Sequence, residues 1–280
     1  MSDTGFSNMH LKRILTSLIA FPLLSLLIWK VSLPVFSLFI GAVALLALYE
    51  YGRIVFFDRP DAVFSPISIW GAAIALLIIG AAYVHSFSLI GGLLVVNFMG
   101  AAILSLPAYK TGAGIMDVVE KQIQGVLYVP VCLAFIVLIR QNSHGVAWIF
   151  FLLFMVFAGD VGAFYTGKFF GRRKLSPAIS PNKTLEGSIG GLLLCSVVGY
   201  SFARLFLPHL AHPVIFLMLV TVNIAAQAGD LFESELKRAG GIKDSGNILP
   251  GHGGILDRID ALLFAAPVAY VFKEFVFAGV

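Results

Sequence analysis

The amino-acid sequence predicts an all-α, polytopic integral membrane protein with about nine transmembrane helices and a cytoplasmic N-terminus. Composition is the first observation: 59% of the 280 residues are hydrophobic and only 12% are charged, whereas soluble domains are about 45–50% apolar. The second is that apolar runs of about 17 or more residues recur along the whole chain, which is the length a helix needs to cross a bilayer. Because these runs are continuous rather than alternating, a β-barrel is not expected.

The apolar runs themselves are predicted to form the transmembrane helices. They cover approximately residues 11–29, 31–49, 68–86, 88–106, 125–140, 145–164, 188–207, 213–231 and 261–278. The connections at Trp29-Lys30 and His85-Ser86 are very short, so the helices on either side are expected to form hairpins. The fifth run is the weakest, because it is short and Pro130 interrupts it.

The distribution of positive charge predicts the orientation. If the N-terminus is cytoplasmic, all lysines and arginines lie on the inner side except Lys30, Arg140, Arg204 and Lys273. Cytoplasmic loops of membrane proteins carry such an excess of Lys and Arg, so this orientation is favoured over the reverse. The formal net charge of +4 is then explained by topology and anionic lipid headgroups, and no nucleic-acid partner is expected.

Polar residues are unevenly distributed along the chain. Residues 1–124 carry few polar side chains within their spans, and we interpret them as an N-terminal transmembrane packing module. The main exception is Glu50, which we interpret as a carboxylate at the membrane interface. Residues 125–280 carry nearly all of the polar motifs and are predicted to form a C-terminal transmembrane catalytic module.

Three polar segments of the C-terminal half are predicted to lie near the cytoplasmic boundary. The first centres on Asp160, an ionisable residue within an apolar span, which is costly unless it faces a partner or a water-filled cavity. Its neighbours Gly159 and Gly162 are expected to allow close helix packing. In the second, Lys183 lies beside residues 184–188, from Thr184 to Ser188, which can cap the incoming helix. That helix N-terminus suits a phosphate, although a capped helix with an interfacial lysine is an equally good interpretation.

The third polar segment runs from Gly229 to Asp260. Asp230 ends the eighth apolar run, while Asp257 and Asp260 begin the ninth and share one helix face because they are three residues apart. Acids on neighbouring helices repel one another unless a cation lies between them, and Mg²⁺ commonly bridges carboxylates and substrate phosphates. The segment therefore predicts a magnesium site.

Basic residues of the same segments are predicted to bind a polyphosphate. They are Lys183, Lys237, Arg238 and Lys243. His252 has no second histidine or cysteine beside it, so a zinc site is not expected, and we interpret it as a hydrogen-bonding loop residue or phosphate contact.

The spacing of the third segment is distinctive. It contains Ser234-Glu235-Leu236-Lys237-Arg238, Lys243-Asp244-Ser245-Gly246, Leu249-Pro250-Gly251-His252-Gly253-Gly254 and Asp257-Arg258-Ile259-Asp260. This pattern closely resembles the signature of phosphatidate cytidylyltransferases, also called CDP-diglyceride synthetases. The resemblance extends to Ser180–Gly187 and to Asp160, and thus covers roughly residues 155–262.

This resemblance implies a reaction in which CTP and phosphatidate give CDP-diacylglycerol and pyrophosphate for phospholipid biosynthesis. It also implies dependence on Mg²⁺ and on a second cation, which is monovalent, such as K⁺. It further implies a homodimer with an active site at the inner face of a bacterial plasma membrane.

Roles follow for the residues singled out above. We expect the metal to be held by Asp230, Asp257 and Asp260, with Asp160 and Glu186 as further candidates. We expect catalysis to involve these three aspartates together with Lys237 and Arg238. We expect substrate contacts from Lys183, Thr184, Ser234, Lys243, Arg258 and His252, with Asp244 as a further candidate for metal or cytidine contacts.

Two other functions compete with this one. Cytidylyl transfer to a different lipid phosphate would use the same motif. A cation-coupled transporter would also carry intramembrane acids near glycine-broken helices, but it predicts acids near the bilayer midplane and inverted halves. Because the acids here gather at one face and the halves differ, transport is the weaker hypothesis.

Overall fold

The structure is a computed structural model that describes residues 22–109, 114–208, 210, 212–246, 248 and 253–277. The predicted first span is therefore described only from residue 22, and His252 lies outside the described residues. Helix α1 is described over residues 22–30. The following helices are α2 Leu33–Val55, α3 Pro66–Tyr83, α4 Phe87–Ala108, α5 Ile115–Val126, α6 Cys132–Gln141, α7 Gly145–Phe170, α8 Leu185–Phe206, α9 His212–Ala239 and α10 Leu256–Val271.

Short elements connect these helices. A 3₁₀ turn, Pro60–Phe64, precedes α3, and π-helical turns lie at Leu127–Val131 and Phe272–Val276. Two short strands, β1 Lys174–Ser176 and β2 Ser180–Thr184, pair antiparallel between α7 and α8, with Lys174 opposite Thr184 and Ser176 opposite Ser180. The apolar-run pattern gave no sign of this hairpin.

Membrane-spanning length is found throughout the described part of the chain. Seven helical segments there are long and apolar enough to cross a membrane: Leu33–Val55, Pro66–Tyr83, Phe87–Pro107, Ile115–Gln141, Gly145–Phe170, Leu185–Phe206 and His212–Ala239. They coincide with the second to the eighth predicted spans, and α10 with its π-helical turn covers most of the ninth. The predicted fold class is confirmed: the chain is a polytopic helical membrane protein.

The fifth span differs most from its predicted bounds. It was expected over about residues 125–140 with a break at Pro130, but helix continues from Ile115 to Gln141. Pro130 lies in the π-helical turn between α5 and α6, and such a wider turn accommodates the ring and the missing N–H without ending the helix. The extra N-terminal turns carry an Asp117–Lys121 ion pair of 2.9 Å, so they are too polar for an apolar run to reveal.

The chain forms two compact units, Met1–Pro130 with Gly240–Arg258, and Val131–Ala239 with Ile259–Val280. The division predicted at residue 124 followed the distribution of polar residues, whereas residues 240–258 group with the N-terminal unit in the structure. Each unit is described separately below.

In the first unit, polar groups join apolar helices. The hydroxyl of Tyr51 on α2 donates to Gln124 Oε1 at 2.8 Å and lies 3.0 Å from the Lys121 carbonyl oxygen. Gln122 on α5 donates to Asn97 Oδ1 on α4 at 2.8 Å, with both side chains buried. Interhelical hydrogen bonds of this kind stabilise helix packing where apolar side chains alone give little specificity.

In the second unit, α7 packs closely against α8. A Cβ placed on Gly162 would lie 2.7 Å from the Gly190 carbonyl oxygen, and one on Gly159 would overlap the Asn223 side chain. These glycines therefore serve close helix approach, as predicted. The close packing fixes the polar ends of α7, β2 and α8 next to α9.

Candidate functional site

The polar end of α9 presents one functional face. Asp230, Ser234 and Lys237 are spaced four and three residues apart, so they lie along the same side of the helix. The eighth span was predicted to end near residue 231, but α9 continues to Ala239. Asp230 is therefore not a terminal residue, and the helix holds the three side chains in fixed register.

Strand β2 brings Lys183 to this face. Its Nζ lies 2.7 Å from Asp230 Oδ2, and both side chains are about two-thirds buried or more. The next residue, Thr184, is the N-cap of α8: its hydroxyl oxygen accepts from the Gly187 N–H at 3.1 Å. The predicted capping role is thus confirmed, and it orients Lys183 because the cap fixes the backbone immediately after it.

Glu186 holds the loop that precedes the hairpin. Its carboxylate accepts from the backbone N–H of Arg172 at 3.0 Å and from that of Arg173 at 3.1 Å. Leu185 N–H in turn donates to the Arg173 carbonyl at 2.9 Å. These bonds give Glu186 a structural task at the α8 N-terminus, and its expected role as a metal ligand stays a prediction.

Three aspartates of the second unit lie close enough to interact electrostatically. The Asp260 carboxylate interacts with those of Asp230 and Asp160, and with the Lys237 ammonium group. Asp160 is exposed on α7, within a membrane-spanning helix. Because a carboxylate within such a helix is costly against lipid, we expect Asp160 to face water, a partner group or a bound cation. Asp160, Lys183, Asp230, Lys237 and Asp260 thus form the acid–base cluster of this unit.

Helix α9 carries a further, buried acid between Asp230 and Lys237. The Glu233 side chain is fully buried and forms an ion pair with Lys237, one turn later. Arg238 is exposed, and its Nε donates to the Ile179 carbonyl oxygen at 3.3 Å. This contact ties the end of α9 to the turn of the hairpin, and it was not foreseen from the sequence.

In the first unit, Asp257 organises the end of the signature segment. Its Oδ2 accepts from the Ser245 N–H, the Ser245 hydroxyl and the Gly254 N–H, each at 2.9 Å. Gly253 has φ of +82°, which L side chains rarely adopt. The remaining residues predicted from this segment are exposed: Lys243, Asp244 and Arg258.

Glu50 is the residue that sequence reasoning misjudged. It is 1% exposed, and its carboxylate accepts from Ser245 Oγ at 3.0 Å, from Ile255 N–H at 3.1 Å and from Leu256 N–H at 2.8 Å. The interfacial interpretation was therefore wrong. A carboxylate inside an apolar helix is itself a signal of a partner, but the partners lie about 200 residues away and left no local pattern.

Comparison with known proteins identifies the family of this chain. The model of the Cytidylyltransferase family matches residues 11–276, which is nearly the whole chain. The chain belongs to the cytidylyltransferase family. The family assignment covers both units, whereas the resemblance found from the sequence motifs covered only residues 155–262.

Individual relatives share a shorter stretch with this cytidylyltransferase family member. A phosphatidate cytidylyltransferase of Bacillus subtilis (strain 168) is 44% identical over 147 residues, 51% of this chain and 54% of the relative. One of Staphylococcus aureus (strain COL) is 44% identical over 138 residues, 49% of this chain and 52% of the relative. The chain thus spans about half the length of the curated relatives it matches.

The carboxylates of the acid–base cluster are groups of the kind that binds Mg²⁺. Mg²⁺ is usually bound by one or two carboxylates together with waters and substrate phosphates. Asp160, Asp230 and Asp260 supply carboxylate oxygens, and their mutual repulsion favours a cation among them. Among the described residues, no three His, Cys, Asp or Glu side chains meet at metal-ligand spacing. The donor set therefore fits an ion shared with substrate rather than a cage built from those residues alone.

Proposed function

We propose that this chain transfers the cytidylyl group of CTP to phosphatidate, giving CDP-diacylglycerol and pyrophosphate. Membership of the cytidylyltransferase family and the names of the bacterial relatives support this reaction. The observation that carries the proposal is the acid–base cluster around the 2.7 Å Lys183–Asp230 pair, which places fixed cations beside carboxylates at one end of α9. Transfer of a nucleotidyl group from CTP needs cations that bind phosphate oxygens and carboxylates that bind a metal ion.

The reaction requires little from a general base. The phosphate of phosphatidate is already anionic near neutral pH, and one of its oxygens forms a bond to the α-phosphorus of CTP. The bond from that phosphorus to the bridging oxygen breaks, and pyrophosphate leaves with its electron pair. The barrier is mainly electrostatic, because two anions approach and charge grows on the leaving group.

The residues of the second unit meet these demands by charge and position. Lys183 and Lys237 are proposed to bind phosphate oxygens, with Ser234, between Asp230 and Lys237 on α9, as a hydroxyl donor. Arg238 adds an exposed cation next to the hairpin. Mg²⁺, when bound by Asp230 and Asp260, would supply positive charge to the CTP phosphates. Asp160 would help to retain that charge.

Other features of the proposal concern the cellular setting. We propose that the chemistry takes place at the cytoplasmic face of a bacterial plasma membrane, since the charge bias puts the polar segments on that side. A homodimer, a monovalent cation such as K⁺, and substrate contacts from Lys243, Arg258 and His252 remain predictions. Asp257 is also predicted to contact metal, and its carboxylate already accepts bonds from Ser245 and Gly254.

The test is pyrophosphate release by the purified full-length chain with CTP and a panel of lipid phosphates. Activity should depend on Mg²⁺, be lost with a chelator, and favour phosphatidate over isoprenyl phosphates. Asp230→Asn keeps size but removes charge, so we expect a rate loss on the order of a thousandfold. Asp61→Asn, at an exposed acid in the 3₁₀ turn, is the matched control and should retain full activity. Near-normal turnover by Asp230→Asn at limiting Mg²⁺ would show that this carboxylate is not a ligand.

A further inference from the structure

Glu50 joins a membrane-spanning helix to the signature segment of the chain. It lies near the end of α2, and each hydrogen bond to its carboxylate comes from residues 245–256 of the same unit. The Ser245 hydroxyl and the Leu256 N–H donate to Oε2, whereas the Ile255 N–H donates to Oε1. A carboxylate with this many donors is held in one orientation.

Two of these donors belong to a helix N-terminus. Helix α10 begins at Leu256, and the first N–H groups of a helix have no partner within it. The Glu50 carboxylate satisfies those of Ile255 and Leu256, and its negative charge also opposes the positive end of the helix dipole. Glu50 therefore caps α10 although it lies on another helix, where a neighbouring side chain would normally do so.

The cap extends to Asp257 through one hydroxyl group. Ser245 Oγ lies 3.0 Å from Glu50 Oε2 and 2.9 Å from Asp257 Oδ2. A serine hydroxyl has a single hydrogen, so the two carboxylates share one donor. The backbone wraps tightly around this contact, because a Cβ on Gly246 or Gly254 would overlap the Glu50 carboxylate. The position of Asp257 thus depends on that of Glu50.

We propose that Glu50 is a positioning residue for Asp257 and Arg258, which are predicted to contact metal and substrate: it fixes the first turn of α10 without touching substrate. This inference rests on the proposed function. In the competing explanation, Glu50 only stabilises the fold of the first unit. The two explanations differ in what happens to turnover by molecules that remain folded.

The experiment compares Glu50→Gln with a matched buried substitution. Gln keeps the shape of Glu, but its amide group places N–H donors where the carboxylate accepts, so donors face each other at Ile255 or Leu256. Gln122→Met is the control, since it removes the buried 2.8 Å bond to Asn97 in the same unit, a bond that involves no residue of the signature segment. Each full-length variant is reconstituted in lipid nanodiscs, and hydrogen exchange, kcat, KM and thermal unfolding are measured.

Glu50→Gln should speed exchange of the amides of Ile255 and Leu256 about tenfold or more, because their charged acceptor is lost. Its kcat should fall about ten- to a hundredfold with KM for CTP changed by less than about threefold, as displacement of a reacting group predicts. Gln122→Met should lower the unfolding temperature but leave both the exchange of these amides and kcat near the wild-type values. Glu50→Asp, which keeps the charge, should recover part of the turnover.

Several results would overturn the proposal. One is unchanged exchange at Ile255 and Leu256 in Glu50→Gln; another is a kcat loss no greater than that of Gln122→Met. If Glu50→Gln does not fold, Ser245→Ala decides, because it removes only the shared hydroxyl: full kcat in that variant would refute the link to Asp257. Inactive wild-type protein would refute the proposed function, while the exchange rates would still report whether Glu50 holds the segment.

Discussion

The Glu233–Lys237 ion pair on α9 is predicted to contribute strongly to the stability of the protein. Glu233 is fully buried, and Lys237 keeps only 12% of its side chain exposed. Lys237→Met removes the ammonium group and keeps most of the side-chain volume. Glu233 then loses the cation one turn away, so its buried carboxylate must either stay charged without that partner or take up a proton.

The expected loss of stability is large for a single substitution. Removing one partner of a buried ion pair destabilises a protein by about 3–5 kcal/mol, since the remaining charge is no longer compensated. A lysine at a membrane interface ordinarily contributes little to fold stability, because its charged end stays in water. The burial of Glu233 reverses that expectation. The double variant Glu233→Gln/Lys237→Met should recover most of the loss, because neither member is then charged.

The assay is unfolding of purified protein in detergent, followed by heat or denaturant. Lys121→Met is the matched control: Lys121 has the same four-residue spacing from Asp117, but Asp117 is 42% exposed. Exposed pairs of this kind contribute about 0.3–0.5 kcal/mol, so this variant should unfold close to the wild-type midpoint. CTP-dependent turnover is measured in parallel on the folded fraction.

Two outcomes would refute this reasoning. If Lys237→Met unfolded like Lys121→Met, the buried carboxylate would not depend on its lysine. If the double variant were no more stable than Lys237→Met, the loss would come from packing rather than from charge. A stable double variant with impaired CTP turnover would support a separate phosphate role for Lys237.

Two further predictions concern the cap and the topology. Thr184→Ala should lower stability by about 1 kcal/mol through loss of the bond to Gly187 N–H, and Thr184→Ser should not; equal unfolding midpoints for the two would contradict the capping role. In a background without the two native cysteines, a membrane-impermeant thiol reagent added outside should label His85→Cys and His144→Cys but not Lys174→Cys. Labelling at residue 174 would overturn the assigned orientation.

How well the sequence predicts a feature of this fold depends on how far apart in the chain the interacting residues lie. Seven spans were placed correctly because bilayer thickness imposes a length on each apolar run, and that length is a local property. The ends of the helices were less predictable. Helix α9 extends to Ala239 because Glu233 and Lys237 form an ion pair within it. Hydropathy alone predicts that the span ends before such charged residues.

The site shows the same limit more strongly. A cap was expected within residues 184–188, and Thr184 provides it, because capping acts within three residues. The hairpin at Lys174–Thr184 was missed, since its strands are too short for an alternating pattern. Glu50 was misjudged because its partners come from residues 245–256, and nothing near residue 50 encodes them.

The pairing of Lys183 with Asp230 bears on how the proposed reaction is controlled. In the structure, this lysine is not a free cation awaiting phosphate, because its Nζ lies 2.7 Å from a carboxylate oxygen. An incoming phosphate must compete with Asp230 for the ammonium group, and the carboxylate then needs another source of positive charge. The acids Asp160 and Asp260, which interact electrostatically in the same cluster, increase that need. Under the proposed function, phosphate and cation binding are therefore coupled through this pair: either one alone leaves a charge uncompensated, and both together leave none.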